Sequence, residues 1–265
     1  MLERSSPLAH TVRVVTYNVH GFVGTDGAWN PERVISAIEQ LSPDLVALQE
    51  VELTPHAATP ATTAAWLAQR LAMRCHFTLT RPGRGGGHFG NAVLSRHDFE
   101  LVAEGSLPHR GGEPRAVQWL RVRTAAREFH LMNTHLGIHF WERYFQVRAL
   151  LGAEWLIRAG TDLPLVVCGD FNATTLSPVY RALARDLRDV RAGERRLRRG
   201  TWPSSRPLLA IDHMFVSPEF RVRSCSVVRD AVTRRASDHL PLLAVLEWDA
   251  VARTAGVTSA GVLAS

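Results

Sequence analysis

The stretch Leu165-Val166-Val167-Cys168-Gly169-Asp170-Phe171-Asn172-Ala173 constrains the chain most. A short β-branched run of this kind reads as a strand buried on both faces, which needs a covered sheet rather than a lone hairpin. Polar chemistry begins abruptly after Cys168. Gly169 lets the backbone open out. In an extended segment Asp170 and Asn172 would point to the same face. A carboxylate and an amide aimed together from the mouth of a core strand mark a site, although an Asp/Asn turn after a strand reads the same way in isolation.

The other strand ends repeat the pattern. Val12 to Tyr17 reads as a strand ending at Asn18, and Leu45 to Leu48 as one ending at Gln49 and Glu50. Between them Asn30-Pro31-Glu32 starts a helix, with a capping Asn, Pro in the first turn and then an acid. Val34, Ile35, Ile38 and Leu41 give it an apolar stripe. A second helix is expected over Thr62 to Met73 and a strand over His76 to Thr80. Arg81 to Gly87 is expected as a flexible loop, without the Gly-Lys-Ser/Thr ending of a phosphate-binding loop. Asn91 to Leu94, Phe99 to Ala103, Ala116 to Val122 and Glu128 to Asn133 read as an antiparallel meander. Trp141 to Ala159 is the longest helix, and Ser177-Pro178 opens another. Ile211 to Val216, Val222 to Val228 and Leu240 to Leu246 close the chain as strands. Two sheets face to face with helices outside would bury all of them.

The chain reads as one domain over 12–248, with an N-terminal extension over 1–11 and a loose tail over 249–265. At 46% hydrophobic and 21% charged, its composition is that of an ordinary globular protein. The net charge of +6 points to an anionic partner, and every basic side chain is arginine, whose planar fork suits phosphate. Cys75, Cys168 and Cys225 suggest neither a metal pair nor a disulfide framework. With no apolar segment of membrane length and no secretory pattern at the start, a cytoplasmic monomer is expected.

The polar strand ends form a set: Asn18, Glu50, His135, Asp170, Asn172, Asp212, Asp238 and His239. So many in one domain argue for a shared pocket at one sheet edge. Thr16-Tyr17-Asn18-Val19-His20-Gly21, Leu48-Gln49-Glu50-Val51, Asn133-Thr134-His135-Leu136-Gly137, Gly169-Asp170-Phe171-Asn172, Ile211-Asp212-His213 and Ser237-Asp238-His239 together resemble the endonuclease/exonuclease/phosphatase family. That family includes pancreatic deoxyribonuclease, apurinic endonucleases, neutral sphingomyelinases and inositol-polyphosphate 5-phosphatases. The pieces occur in the family's order from residue 12 to about 247.

The resemblance implies an α/β fold, a four-layer α/β/β/α sandwich of two mixed, mainly antiparallel sheets packed face to face. It implies a magnesium-dependent phosphoester hydrolase, most simply a phosphodiesterase, with manganese able to substitute. Glu50 becomes the main metal ligand, with Asn18 and Asp238 beside it; a carboxylate oxygen suits magnesium, which keeps waters and takes substrate phosphate. Asp170 orients or deprotonates water, and Asn172 donates to a phosphoryl oxygen. His135 and His239 bond the phosphate, and Asp212 holds His239 in one tautomer. Arg115 and Asn91 match family positions near the substrate.

Other readings of the same residues are weaker. His213 points to the opposite face from Asp212 and is structural. His135 and His139 lack the following Glu of a helical zinc pair, and Gly137 disfavours the helix. Ser237-Asp238-His239 is no hydrolase triad, because such triads converge from separate segments. The substrate stays open between nucleic acid, a phospholipid headgroup and an inositol phosphate. Asn-Thr-His-Leu around His135 ranks apurinic sites low. Ile138-His139-Phe140-Trp141 suits base stacking or a lipid headgroup region if exposed, and a core position otherwise.

Overall fold

A computed structural model describes residues 11–53, 64–159, 162–193 and 200–248. Of the expected extension over 1–11, residues 1–10 lie outside the described residues and Thr11 begins the first strand; the expected tail over 249–265 lies outside them too.

The chain runs β1 (Thr11–Asn18), α1 (Pro31–Leu41), β2 (Leu45–Leu53), α2 (Ala64–Leu71), β3 (Arg74–Pro82), β4 (His88–Ser95), β5 (Asp98–Ser106), β6 (Ala116–Arg123) and β7 (Glu128–His135). It continues as α3 (Phe140–Leu150), α4 (Leu156–Ala159), β8 (Leu165–Asp170), α5 (Pro178–Leu183), β9 (Arg188–Asp189), β10 (Asp212–Val216), β11 (Phe220–Val227), α6 (Ala231–Ala236) and β12 (Leu242–Trp248). Two six-stranded sheets result, ordered β11-β12-β1-β2-β4-β3 and β5-β6-β7-β8-β10-β9.

Each sheet holds one parallel pair at its centre, β1 with β2 and β7 with β8, and its other pairings are antiparallel. This is the four-layer α/β sandwich with two mixed sheets. Val12, Val14, Leu45 and Ala47 of the first sheet meet Leu131, Val166, Cys168 and Met214 of the second in a buried inter-sheet core. The outer face of the first sheet packs on α1 and α2 through Val34, Ile35, Ile38 and Leu67. That of the second packs on α3 and α5 through Val147, Leu150, Val179 and Leu183. Period-2 alternation on strands covered on both faces explains why these runs are apolar throughout.

Several local expectations need correction. The four-strand meander is split: β4 pairs with β2 and β3 in the first sheet, and only β5, β6 and β7 form a meander in the second. The single helix over Trp141–Ala159 breaks after Leu150, with a turn through Gly152 before α4. Asn30 occupies the N-cap of α1 but makes no side-chain capping bond, so Pro31 and Glu32 mark that start. The expected flexible segment at Arg81 belongs partly to β3, and Arg84–Gly86 is a short 3-10 turn. Among the described residues, no helix is long and apolar enough to cross a membrane.

Candidate active site

The carboxyl ends of both parallel pairs meet at one edge of the sandwich. Asn18 ends β1, His135 ends β7 and Asp170 ends β8. In open α/β sheets, ligands bind outside the carboxyl ends of strands. Glu50 reaches the same edge through a bulge: the β2–β4 register shifts between Leu48 and Val51, and Glu50 has φ +56°. A left-handed non-glycine residue in a strand is strained, and bulges re-aim side chains at sites. Beneath the edge Gln49 Nε2 donates to Asn133 Oδ1 at 2.8 Å, and Asn133 Nδ2 donates to Gln118 Oε1 at 2.8 Å, so a buried polar network ties the sheets together.

Asn18 Oδ1 accepts the backbone N–H of His20, which turns its NH2 group onto two carboxylates, Glu50 Oε1 at 2.9 Å and Asp170 Oδ2 at 3.0 Å. In this arrangement Asn18 serves the carboxylates as a donor. Asp170 and Asn172 do share the site, but through a turn and not an extended segment. Asp170 Oδ1 accepts the Asn172 N–H at 2.9 Å, and Asn172 sits at φ +48°, a conformation Asn tolerates.

His135 is buried and its neutral form is favoured: burial first, then the charges of Arg115 and His239, hold its pKa well below the usual histidine range. Arg115 Nη1, which can only donate, lies 2.9 Å from His135 Nδ1. That contact assigns the ring proton to Nε2. The Nε2–H lies 3.4 Å from Asp170 Oδ2 and 3.9 Å from Glu50 Oε1. Asn172 Nδ2 donates to the Leu136 carbonyl at 2.9 Å, which fixes the amide, and stands 3.2 Å from His135 Nε2. Two donor nitrogens therefore lie side by side, close enough for one oxygen beside them to accept from both.

His239 behaves differently. Burial opposes its charge, but Asp212, Asp170 and Asp238 outweigh burial and raise its pKa to about 10. Asp212 Oδ2 sits 2.9 Å from His239 Nδ1, and His239 Nε2 lies 3.7 Å from Asp170 Oδ2. Burial and then Asp212 push the Asp170 carboxyl up to about 7, against the pull of His239 and the N–H donors of Asn172 and Asn18.

The donor chemistry fits a hard divalent cation. Glu50, His135 and Asp170 each offer an atom within 4.8 Å of the others, as do Asp170, Asp212 and His239. The tautomer set by Arg115 leaves no lone pair on His135 Nε2, so oxygens form the acceptor face, as magnesium prefers. Asp212 Oδ1 and Asp238 Oδ1 are buried without hydrogen-bond partners among the described residues. Asp238 lies in neither cluster; its Oδ2 accepts from Trp202 Nε1 at 3.1 Å and its Oδ1 is 3.7 Å from His20. Asn91 is buried in β4, its amide 3.4 Å from the Ala116 carbonyl, next in sequence to Arg115.

Some residues that shape this edge had no sequence signal. Glu113 holds Arg115 Nη2 at 3.0 Å. Behind the Asp170–Ala173 turn, Arg191 Nη2 lies 2.6 Å from His213 Nδ1, and His213 Nε2 bonds the Ala173 carbonyl at 2.7 Å. His213 thus faces away from Asp212 and braces the turn from behind. Arg143, from the first turn of α3, donates to the carbonyls of Gly137 and Ile138 and lies within the field of Asp170.

Comparison with known proteins agrees with this architecture. The sequence model of the Endonuclease/Exonuclease/phosphatase family matches residues 15–239. The Escherichia coli (strain K12) protein YbhP is 30% identical over 247 residues, covering 88% of this chain and 94% of that protein. A crystal structure of an endonuclease/exonuclease/phosphatase from Beutenbergia cavernae superposes with a TM-score of 0.74 at 25% identity, over 90% of this chain and 72% of that one. The human Nocturnin catalytic domain with bound sulfate anion shares the fold, with a TM-score of 0.68 at 24% identity over 91% of this chain and 94% of that one. With the two-sheet sandwich and the family match spanning most of the described residues, the chain belongs to the endonuclease/exonuclease/phosphatase family.

Proposed function

We propose that this phosphoester hydrolase is a magnesium-dependent phosphodiesterase that directs water onto phosphorus. The observation that carries the reading is the split of the site into a donor face and an acceptor face. Arg115 fixes His135 with its proton on Nε2, and the Leu136 carbonyl fixes the Asn172 amide, so two N–H donors converge 3.2 Å apart. Donors so placed are satisfied by one shared oxygen anion, and a phosphoryl oxygen supplies it. Opposite them, Glu50 and Asp170 present carboxylate oxygens.

Glu50 would hold the magnesium, with Asp170 next to it and Asn18 steering both carboxylates. The ion, when bound, supplies Lewis-acid polarisation of a phosphoryl oxygen. The rest falls to the chain's own side chains. Environments that push two titratable groups apart assign acid and base. Asp170, raised to about 7, takes a proton from water near neutral pH. His239, raised to about 10, is an imidazolium there and donates to the phosphate or the leaving oxygen. Asp212 keeps the His239 Nδ1 proton in place, so that Nε2–H faces the site.

The test is hydrolysis of bis-p-nitrophenyl phosphate with and without magnesium. Activity should vanish in excess chelator, return with magnesium or manganese, and fall in Glu50→Gln with a weaker metal dependence. Full turnover in chelator would remove Glu50 from the reaction.

A further inference from the structure

The large apolar side chains that stay exposed are not scattered. Leu101 lies mid-strand on β5 and Ile157 on α4, away from the catalytic edge, and Leu79, level with Val51 through Gly90, stands alone on the outermost strand β3. The remaining exposed ones among the described residues come from four separate segments that all leave the sheets at that edge. Trp29, 43% exposed, sits on the segment after β1. Ile138, Phe140 and Trp141 follow His135, with Trp141 at 68%, and Phe145 continues their ring cluster one turn into α3. Leu176 follows the Asn172 turn. Leu208 and Leu209 precede β10 on a hairpin closed by their N–H bonds to the Trp202 carbonyl. That hairpin is fastened to the site itself, because Trp202 Nε1 donates to Asp238 and Thr201 Oγ1 accepts the Asp212 N–H. Singly exposed hydrophobic residues need no explanation, but apolar tips gathered from several loops around one centre do.

Cations are interleaved with these tips. Arg110 stands over the Phe145 ring at 5.4 Å, and with His109, His139 and Trp141 it lines a cleft of about 600 Å³. Arg206 is exposed on the hairpin that carries Leu208 and Leu209. Arg235 is held by Asp26 on the segment that carries Trp29. Aromatic and aliphatic tips flanked by arginines are how a protein seats on the headgroup–acyl boundary of an anionic bilayer. A single-stranded nucleic acid would ask for stacked rings along a basic groove, and exposed leucine and isoleucine offer a base no π-face.

We infer that the catalytic edge is an interfacial surface: the apolar rim seats on an anionic phospholipid bilayer and presents the site to a headgroup phosphodiester. The inference rests on the phosphodiesterase reading for the identity of the substrate, but the seating itself is separable from catalysis. The net charge of +6 adds the long-range attraction such a surface needs.

The experiment is co-sedimentation of the full chain with sucrose-loaded vesicles of phosphatidylglycerol and phosphatidylcholine, in chelator so that no cation bridges. Partition should rise with the phosphatidylglycerol fraction. Phe140→Ala/Trp141→Ala and Leu208→Ser/Leu209→Ser, on two different segments, should each lower it by about tenfold or more while keeping the wild-type melting temperature. Glu50→Gln should sediment like wild type. Wild-type partition in both rim variants overturns the inference, as does tighter binding to DNA than to vesicles that neither variant changes. Turnover of a soluble diester with no partition overturns the surface and leaves the phosphodiesterase reading standing. Rim-dependent partition by a protein inert to every phosphodiester tried supports the surface and overturns that reading instead.

Discussion

Gly169 is an exacting position at the site edge, because a side chain there would run into the backbone of the neighbouring strand. Gly169 has φ +146°, a region L-residues rarely enter. It pairs with Thr134 across the parallel β7–β8 ladder. A methyl group there would stand 2.8 Å from the Thr134 carbonyl carbon and closer still to its oxygen. Ordinary carbon contacts need roughly 3.5 Å, so the strands must part by on the order of 1 Å. Both obstructing groups are backbone, so no side chain can swing away. The next pair in the same ladder is His135 with Asp170, whose Nε2 and Oδ2 are 3.4 Å apart. A misplacement of about 1 Å at reacting groups costs around 10²-fold, and the forced backbone adds about 1–3 kcal/mol of instability. Gly169→Ala should therefore lose about 10²-fold in kcat/KM on a soluble phosphodiester and unfold at lower denaturant. Gly193→Ala, with nothing among the described residues within 4 Å of the new methyl group, should match wild type in both assays. Wild-type turnover and stability in Gly169→Ala would refute the claim that the β7–β8 register places the site.

Two further predictions concern the buried charges. Asp212→Asn removes the first of the carboxylates that hold His239 protonated, so in an NMR titration the His239 ring should lose its proton at a much lower pH than in wild type, where it stays charged past pH 8. His239→Ala should cost on the order of 10²–10⁴-fold in turnover and Asp212→Asn less; a harmless Asp212→Asn beside a severe His239→Ala would make the 2.9 Å pair irrelevant to catalysis. In chelator, Asp170 has a folded pKa of about 7 against 3.8 for the free group, so the folded state binds the extra proton between those values. Unfolding free energy should then fall as pH rises from about 4 to about 7, and Asp170→Asn should flatten that slope in denaturant titrations. An unchanged slope would mean that Asp170 is not the buried carboxyl responsible.

Much of the architecture was legible because polar residues punctuate apolar runs. Asn18, His135 and Asp170 each end a strand whose largely unbroken apolar interior shows both faces covered, and the common edge follows from that. Local chemistry was harder to read. Trp141–Ala159 reads as one helix, but Gly152 and a weak apolar stripe let it break into α3 and α4. Glu50 reads as a strand end, yet β2 continues to Leu53 past a bulge, which pairing with β4 alone reveals. Asn172 was expected on the Asp170 face by strand parity, and it arrives there through a left-handed turn. The arginine–histidine pairs were invisible because their partners are 20 residues apart for Arg115 and His135 and 22 for Arg191 and His213. Only the folded sheets decide which nitrogen each guanidinium meets, and hence which nitrogen carries the ring proton.

The most direct measurement of the central claim is isotopic. Bis-p-nitrophenyl phosphate hydrolysed with magnesium in water enriched in oxygen-18 should yield p-nitrophenyl phosphate carrying one label and p-nitrophenol carrying none, as attack of water on phosphorus requires. Label in p-nitrophenol, or release of p-nitrophenol at the same rate in Glu50→Gln and in chelator, would contradict the account.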